Sequence, residues 1–284
     1  MIDFLNHSET QRIIENGLKE DIGPGDFTTL STVPTGHKAS ARCLIKEEGI
    51  VAGVAAAYRV LATVDAELKV EAFIEDGKAV KPGDEVFHVH GDPRSILQAE
   101  RLLLNIMQRM SGIATATQRA VSQLAGTSCR ILDTRKTTPL FRHFEKWAVH
   151  LGGGVNHRFG LYDMVMIKDN HIDYAGSIEE ALHSCKNYLK ANGLDLAIEI
   201  ETRDLDEVQQ VLDAGGADRI MLDNMDLGMM TQAVNMIKGQ AETEASGGIT
   251  WDKLPGVAAT GVDFISMGAL THTIDSLDIS LKAL

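Results

Sequence analysis

The chain has 284 residues, 44% of them hydrophobic and 24% charged, a globular composition long enough for one large α/β domain or for such a domain plus a small one. Its net charge of −13 excludes a nucleic-acid-binding surface, which needs a basic footprint. The longest apolar run, residues 50–58 ("IVAGVAAAY"), is too short and too rich in small residues to span a bilayer.

The first residues, "MIDFLNHSETQR", lack a basic segment followed by an apolar one, so no secretory signal is expected. Ser8 and Gln11 have capping-box spacing ahead of the amphipathic "RIIENGLKED". Residues 21–35 are turn-rich, and residues 38–89 read as strands separated by turns at Gly49, Gly77 and Gly83. Ser95 is read as the cap of a long helix ending at Gly126. Along it, Gln98, Arg101, Asn105, Gln108 and Arg109 form a polar stripe, which spacing alone assigns to solvent.

From residue 129 the pattern changes to short apolar strands alternating with helices. The strands are "CRILD", "MVMI", "LAIEI", "RIML", "ETEA" and "DFIS", and Ser177 with Glu180 caps one of the helices between them. This alternation predicts a parallel sheet, open or closed into a barrel. The cysteines Cys43, Cys129 and Cys185 are odd in number and scattered, with no CxxC, which favours a reducing cytoplasm over a disulfide framework or a zinc site.

Chemistry-bearing residues collect after the strands. Thr134, Arg135 and Lys136 follow the first, and Lys168, Asp169, Asn170 and His171 the second. Glu201 and Arg203 follow the third, and Asp223 and Asn224 the fourth. Ser246, Gly247 and Gly248 follow the fifth, and Gly268 the last. Parallel α/β sheets place their sites at this end. The two glycine-bearing turns after the last strands suit a phosphate. Glu201 and Asp223 form a carboxylate pair for Mg²⁺, or else partners for Lys168, Arg203 or Arg219. Glu199 and Glu201 are read as alternating across their strand, with Glu201, at its end, the functional one.

"GGGVNHRFG" (152–160) brings backbone close to a ligand, with Arg158 suited to an anion and His157 read as an anion-binding donor rather than a base. Residues 129–171 hold seven Lys/Arg against four Asp/Glu, a +3 island in a chain otherwise −16, which points to a small anionic ligand.

"DTRKTTP", "GGGVNHR", "YDMVMIKDNHI", "EIE", "LDN", "ASGGI" and "ISMGALTH", in this order, resemble the quinolinate phosphoribosyltransferases, as do the earlier "LKEDIGPGDFTT" and "AERLLLNIMQRMSGIAT". The resemblance covers essentially the whole chain. It implies an N-terminal α/β sandwich domain (residues 1–112, with 273–284 packing against it) and an incomplete, seven-stranded α/β barrel (113–272), paired as a homodimer. The implied reaction joins quinolinate to phosphoribosyl pyrophosphate with Mg²⁺, giving nicotinate mononucleotide, CO₂ and pyrophosphate.

By the same resemblance, Arg135, His157, Arg158 and Lys168 line the quinolinate pocket, and Lys136 faces pyrophosphate. Glu201 and Asp223 contact ribose hydroxyls and metal. Ser246, Gly247, Gly248 and Gly268 hold the 5′-phosphate with His272 nearby, and Arg101 reaches the neighbouring subunit's site. One departure stands out: after "RKTTP" the family usually has Gly-Leu-Arg, whereas this chain has Leu140, Phe141 and Arg142.

Three other readings are weaker. A molybdenum-transport-linked relative of the same fold is expected to differ at "IKDNH" and "NHR". A Schiff-base barrel lyase needs a lysine in an apolar setting, which Lys168 lacks. A non-catalytic scaffold gives no reason for phosphate loops beside a cationic island.

Overall fold

The computed structural model describes residues 3–284. In chain order the elements are α1 (Ser8–Ile22), α2 (Phe27–Thr32), β1 (Ala39–Ile45), β2 (Gly49–Ile50), α3 (Val54–Val64), β3 (Lys69–Ala72), β4 (Ala79–Val80), β5 (Glu85–Gly91) and α4 (Pro93–Gln123). They continue with β6 (Arg130–Leu132), α5 (Arg142–Leu151), β7 (Val165–Ile167), α6 (Asp169–Ala175), α7 (Ile178–Ala191), β8 (Ile198–Thr202), α8 (Leu205–Ala214) and β9 (Arg219–Asp223). The last are α9 (Leu227–Ile237), β10 (Glu242–Ser246), α10 (Leu254–Ala258), β11 (Phe264–Ser266), α11 (Ala269–His272) and β12 (Ile279–Ala283). Two compact units result. Unit 1 comprises Met1–Gln118, Lys136–Gly153 and Ala269–Leu284, and unit 2 comprises Arg119–Arg135 and Gly154–Gly268.

Unit 1 carries an antiparallel sheet in the order β12-β1-β5-β3, so the last strand of the chain pairs with its first. The alternation on β1 buries Ala41, Cys43 and Ile45, and that on β5 buries Phe87 and Val89. The opposite face keeps Arg42, His88 and His90 only partly covered. Phe4, Phe144 and Trp147 pack as an aromatic group beside His143, whose Nε2 lies 2.8 Å from Thr10 Oγ1.

Several local expectations are corrected here. The cap of α1 is His7, whose Nδ1 accepts from the Glu9 amide, while Gln11 donates to Glu15 instead of closing a box with Ser8. Residues 54–64, inside the stretch read as strands, are helix α3. Its first amides donate to Asp76 Oδ1 and Oδ2 at 2.8 and 3.1 Å, a cap from a distant loop that no local pattern announces. Helix α4 begins at Pro93, with Asp92 accepting from the Arg94 amide, and it ends at Gln123 rather than 126. Ser95 instead donates to Asp65. The polar stripe on α4 divides: Arg101 and Asn105 are exposed, while Gln108 donates to the Ile279 carbonyl and Arg109 to Glu145 and the Thr271 carbonyl.

Unit 2 holds six parallel strands in the order β6-β11-β10-β9-β8-β7, and all six are the predicted ones. The seventh strand of the expected barrel is reduced to one parallel bridge, Leu132 to Val155, beside β6. Curvature of the sheet follows from a single residue. His157 lies just past that bridge, at the edge of the sheet, yet its Nε2 is 3.0 Å from Glu199 on β8 and 3.3 Å from Glu244 on β10. An edge residue meets strands that far across the order only if the sheet curls round them.

Candidate active site

Because the strands of unit 2 are parallel, their C-terminal ends share one edge. Arg135, Lys168, Glu201, Asp223, Ser246 and Gly268 all stand at or just past that end of their strands. Arg158 follows the Val155 bridge to the same end. Lys136 and His272 belong to the chain segments of unit 1, and so does Arg101, so the +3 island divides between the units.

The "KDNH" turn has a local cause. Lys168 is the N-cap of α6, its amide donates to His171 Nδ1 at 2.9 Å, and the His171 amide donates back to the Lys168 carbonyl. With its backbone fixed, Lys168 sends Nζ to Glu201 Oε1. The Asp223 carboxylate accepts from Asn224 at 2.8 Å, and Asp223 stands level with Ser246 in the ladder.

Glu199 and Glu201 do not lie across the strand from one another. Two residues apart on a strand means one face, so both point inward, at different depths. Glu201 is at the rim. Glu199 is fully buried with Glu244 and His157. In its neutral form His157 accepts the Arg158 amide at Nδ1, at 2.6 Å, and carries its ring proton on Nε2 between the two carboxylates. Arg219 reaches Glu244 at 3.2 Å and Glu242 at 2.7 Å, and its guanidinium lies 4.2 Å from the Phe264 ring centre.

These groups titrate together. Burial alone disfavours charge on His157, but Glu199 and Glu244 outweigh it and push the imidazole up to about 9. Burial pushes Glu199 up to about 7 against the pull of His157. Burial also works to raise Glu244, and His157 and Arg219 reverse it, holding this carboxyl below its usual range. With Arg219 cationic, the cluster is neutral when His157 and Glu199 share one proton between them.

Above this layer the site is cationic. The half-buried Arg158 guanidinium is held below its ordinary value first by burial and then by the charge of Arg135, with Glu199, Asp163 and Glu201 opposing. Asp133, fully buried, accepts from the Asn156 side chain and the His157 amide, tying the two arginine-bearing turns together.

The glycines after β10 differ. A Cβ on Gly247 would meet Asn224 Oδ1 at 2.3 Å and its amide nitrogen at 2.8 Å, so this glycine serves the packing of the β9 and β10 turns. The Asn224 amide also donates to the Ser246 carbonyl. Gly248 faces open space, with Asn224 Oδ1 4.0 Å away. Spacing did not reveal Glu244, Arg219 or Asp133 as site-supporting residues. The signal was present: charged residues alternate through "ETEA", a strand flanked by partners on both sides.

Residues 26–111 match the family model for the N-terminal domain of quinolinate phosphoribosyl transferase, and residues 113–282 match its C-terminal domain. The chain belongs to the quinolinate phosphoribosyltransferase family. It is 48% identical to the chloroplastic nicotinate-nucleotide pyrophosphorylase [carboxylating] of Arabidopsis thaliana, over 96% of this chain and 82% of that protein. A probable nicotinate-nucleotide pyrophosphorylase [carboxylating] of Bacillus subtilis is 42% identical over 98% of this chain and 94% of its own length. The solved nicotinate-nucleotide pyrophosphorylase of Francisella tularensis superposes with a TM-score of 0.92 at 36% identity, covering 100% of both chains.

Against this family the one sequence departure acquires a structural meaning. Leu140, where the sequence resemblance led to the expectation of a glycine, adopts φ 64°, and the residue is 78% exposed. The turn holds at a leucine the left-handed backbone that glycine favours.

Proposed function

We propose that this chain transfers phosphoribosyl from phosphoribosyl pyrophosphate to quinolinate with loss of CO₂, giving nicotinate mononucleotide and pyrophosphate, a step of NAD biosynthesis. The observation that carries the reading is the gathering of Arg135, Arg158 and Lys168 at one sheet edge, with two guanidiniums close enough for one to depress the other's protonation. Such an arrangement is costly until an anion completes it, and the adjacent carboxylates of quinolinate suit it.

Arg135, Arg158 and Lys168 would orient the pyridine ring so that its nitrogen faces the ribose C1. His157 would hold this pocket from below, through the Arg158 amide on its Nδ1. Ser246, Gly247, Gly248 and Gly268 would cradle the 5′-phosphate, with His272 nearby, and Lys136 would neutralise departing pyrophosphate. Glu201 would exchange its Lys168 partner for ribose hydroxyls when quinolinate takes the lysine. Charge at the ribose rises as pyrophosphate leaves, so positioning and electrostatic compensation supply most of the rate.

Glu201 and Asp223 offer hard oxygen ligands that fit a magnesium ion. Since Lys168 already engages Glu201, the fit is to an ion held largely by substrate oxygens. When bound, magnesium would neutralise pyrophosphate charge.

We also place this chemistry in a cytoplasmic homodimer, with Arg101 reaching the neighbouring site. Among the described residues no helix is long and apolar enough to cross a membrane, and Arg101 is exposed on α4.

The test is turnover of purified protein with quinolinate, phosphoribosyl pyrophosphate and magnesium, with nicotinate as the alternative acceptor. Product from quinolinate alone is expected, and none from either acceptor with folded protein overturns the proposal. Mixing inactive Arg101→Ala and Lys168→Ala proteins tests the dimer: a shared site restores about a quarter of wild-type activity through hybrid dimers. No recovery after subunit exchange rules out Arg101 acting across the interface.

A further inference from the structure

The partly covered face of the unit 1 sheet holds a second constellation, which the proposed reaction does not use. His88 and His90 are two residues apart on β5 and share that face. Glu71 on β3 stands level with His88 in the ladder, and its Oε2 is 4.0 Å from His90 Nε2. One ligand atom from each of the three residues lies within 4.8 Å of the others.

Each imidazole is also held by its other side. His88 Nε2 lies 2.7 Å from Glu85 Oε2, and Arg42 anchors that carboxylate at 2.5 Å. His90 Nδ1 lies 2.7 Å from Ser40 Oγ. The Phe73 ring meets the His88 ring edge-on at 4.8 Å. These contacts fix both ring orientations and leave His88 Nδ1 and His90 Nε2 to accept a ligand. An outer carboxylate or hydroxyl on each ligating histidine is the arrangement that orients metal-binding imidazoles.

We propose that Glu71, His88 and His90 form a binding site for one zinc-class divalent ion, with a fourth position open to water. Two imidazoles and a carboxylate are borderline ligands that suit zinc or cobalt rather than magnesium or calcium. The plain alternative is a cross-strand charge pair beside two surface histidines. It predicts no stoichiometric site and no role for Ser40 or Glu85.

The experiment uses the full chain stripped with chelator and titrated with Zn²⁺ alone, with Co²⁺ absorption as a second probe. One ion per chain is expected, with a cobalt spectrum of low coordination number. His90→Asn and His88→Asn should each weaken binding about 100-fold, while Ser40→Ala and Glu85→Gln, which only orient the ligands, should weaken it about 10-fold. Zinc should raise the melting temperature of the wild type and not of His90→Asn, because the ion ties β3 to β5. Binding to wild type no tighter than to the His88→Asn/His90→Asn double variant overturns the proposal. So does tight binding that survives in the double variant and disappears in His157→Asn, which would put the ion in the buried cluster of unit 2.

Discussion

Glu199 and Glu201 are two residues apart on the same face of one strand, and Glu244 and Ser246 repeat the arrangement two strands away. The deeper residues, Glu199 and Glu244, are fully buried, with His157 between them and Arg219 and Ser266 also at Glu244. The outer residues meet solvent and the partly exposed Lys168. One pair of strands thus carries two kinds of charge. The inner charge is part of the fold, and the outer charge is the one that a ligand would exchange under the proposed function. Removing an inner group strands its partners in low dielectric, whereas removing an outer one leaves its partner to water.

The largest effect should come from Glu244→Ala. Arg219 and His157 would lose their shared carboxylate, at a cost of about 3–5 kcal/mol. For a chain of this size that lowers the melting temperature by about 10 °C. Loss of activity with an unchanged melting curve would break the division into layers. At the rim, Lys168→Ala should lower kcat/KM about 100-fold, roughly 3 kcal/mol of transition-state binding. Its thermal unfolding should shift by no more than about 2 °C, since a partly exposed pair contributes at most about 1 kcal/mol. Steady-state kinetics beside calorimetry on both variants reads the contrast directly.

Next come the two glycines after β10. Gly247→Ala meets Asn224 with φ at 89°, so packing and backbone strain act together, at about 2 kcal/mol. Gly248→Ala has φ 58° and open space, and only the strain of about 1 kcal/mol applies. If Gly248 is where the phosphate approaches, its variant raises the KM for phosphoribosyl pyrophosphate more than Gly247→Ala does, despite the smaller stability loss. Equal KM values would assign both glycines to packing alone.

The inner layer also predicts a pH dependence. The folded cluster keeps one proton on His157 or Glu199, with the imidazole raised to about 9 from 6.5 and Glu199 raised to about 7 from 4.5. The unfolded chain releases those protons at the ordinary values. The stabilisation is therefore fully present only below the unfolded values. It falls as pH rises from 4.5, where the unfolded Glu199 ionises, toward about 9, where the folded His157 gives up its proton, by roughly 1 kcal/mol per pH unit for each proton held. Glu199→Gln removes the need for the extra proton and should flatten urea-unfolding stability across that window. A slope equally steep in the variant would place the proton elsewhere.

The outer layer was legible in the sequence because polar residues after apolar strands need no partner to be noticed. Lys168, Glu201, Asp223 and Ser246 were each visible from strand position alone. The inner layer was not, because its meaning lies in which distant residues meet. Glu244 gains its role from His157, far back in the chain, and the curl of the sheet brings them together. The period of two puts Glu199 and Glu201 on one face, not on opposite faces of the strand. In unit 1 the same limit hid α3, whose cap comes from Asp76. Among the described residues the expected seventh strand shows as a single bridge at Val155, and one residue leaves no periodic signal.

The smallest expected effect tests the departure at Leu140. A leucine at φ 64° carries left-handed strain of about 1–2 kcal/mol, and its exposed side chain recovers little by burial. Leu140→Gly removes that strain but gives the unfolded chain more freedom, an opposing term of about 0.5–1 kcal/mol. The balance favours the glycine by about 0.5 kcal/mol, or a rise in melting temperature of about 1–2 °C. Lys136 lies four residues earlier in the same turn, its carbonyl held by the Thr271 hydroxyl. Strain confined to Leu140 leaves Lys136 where it is, and kcat then stays within about two-fold while stability rises. A fall in kcat in Leu140→Gly, together with the higher melting temperature, would mean that the leucine's strained turn positions Lys136. The leucine would then be part of how this chain works and not merely a tolerated residue.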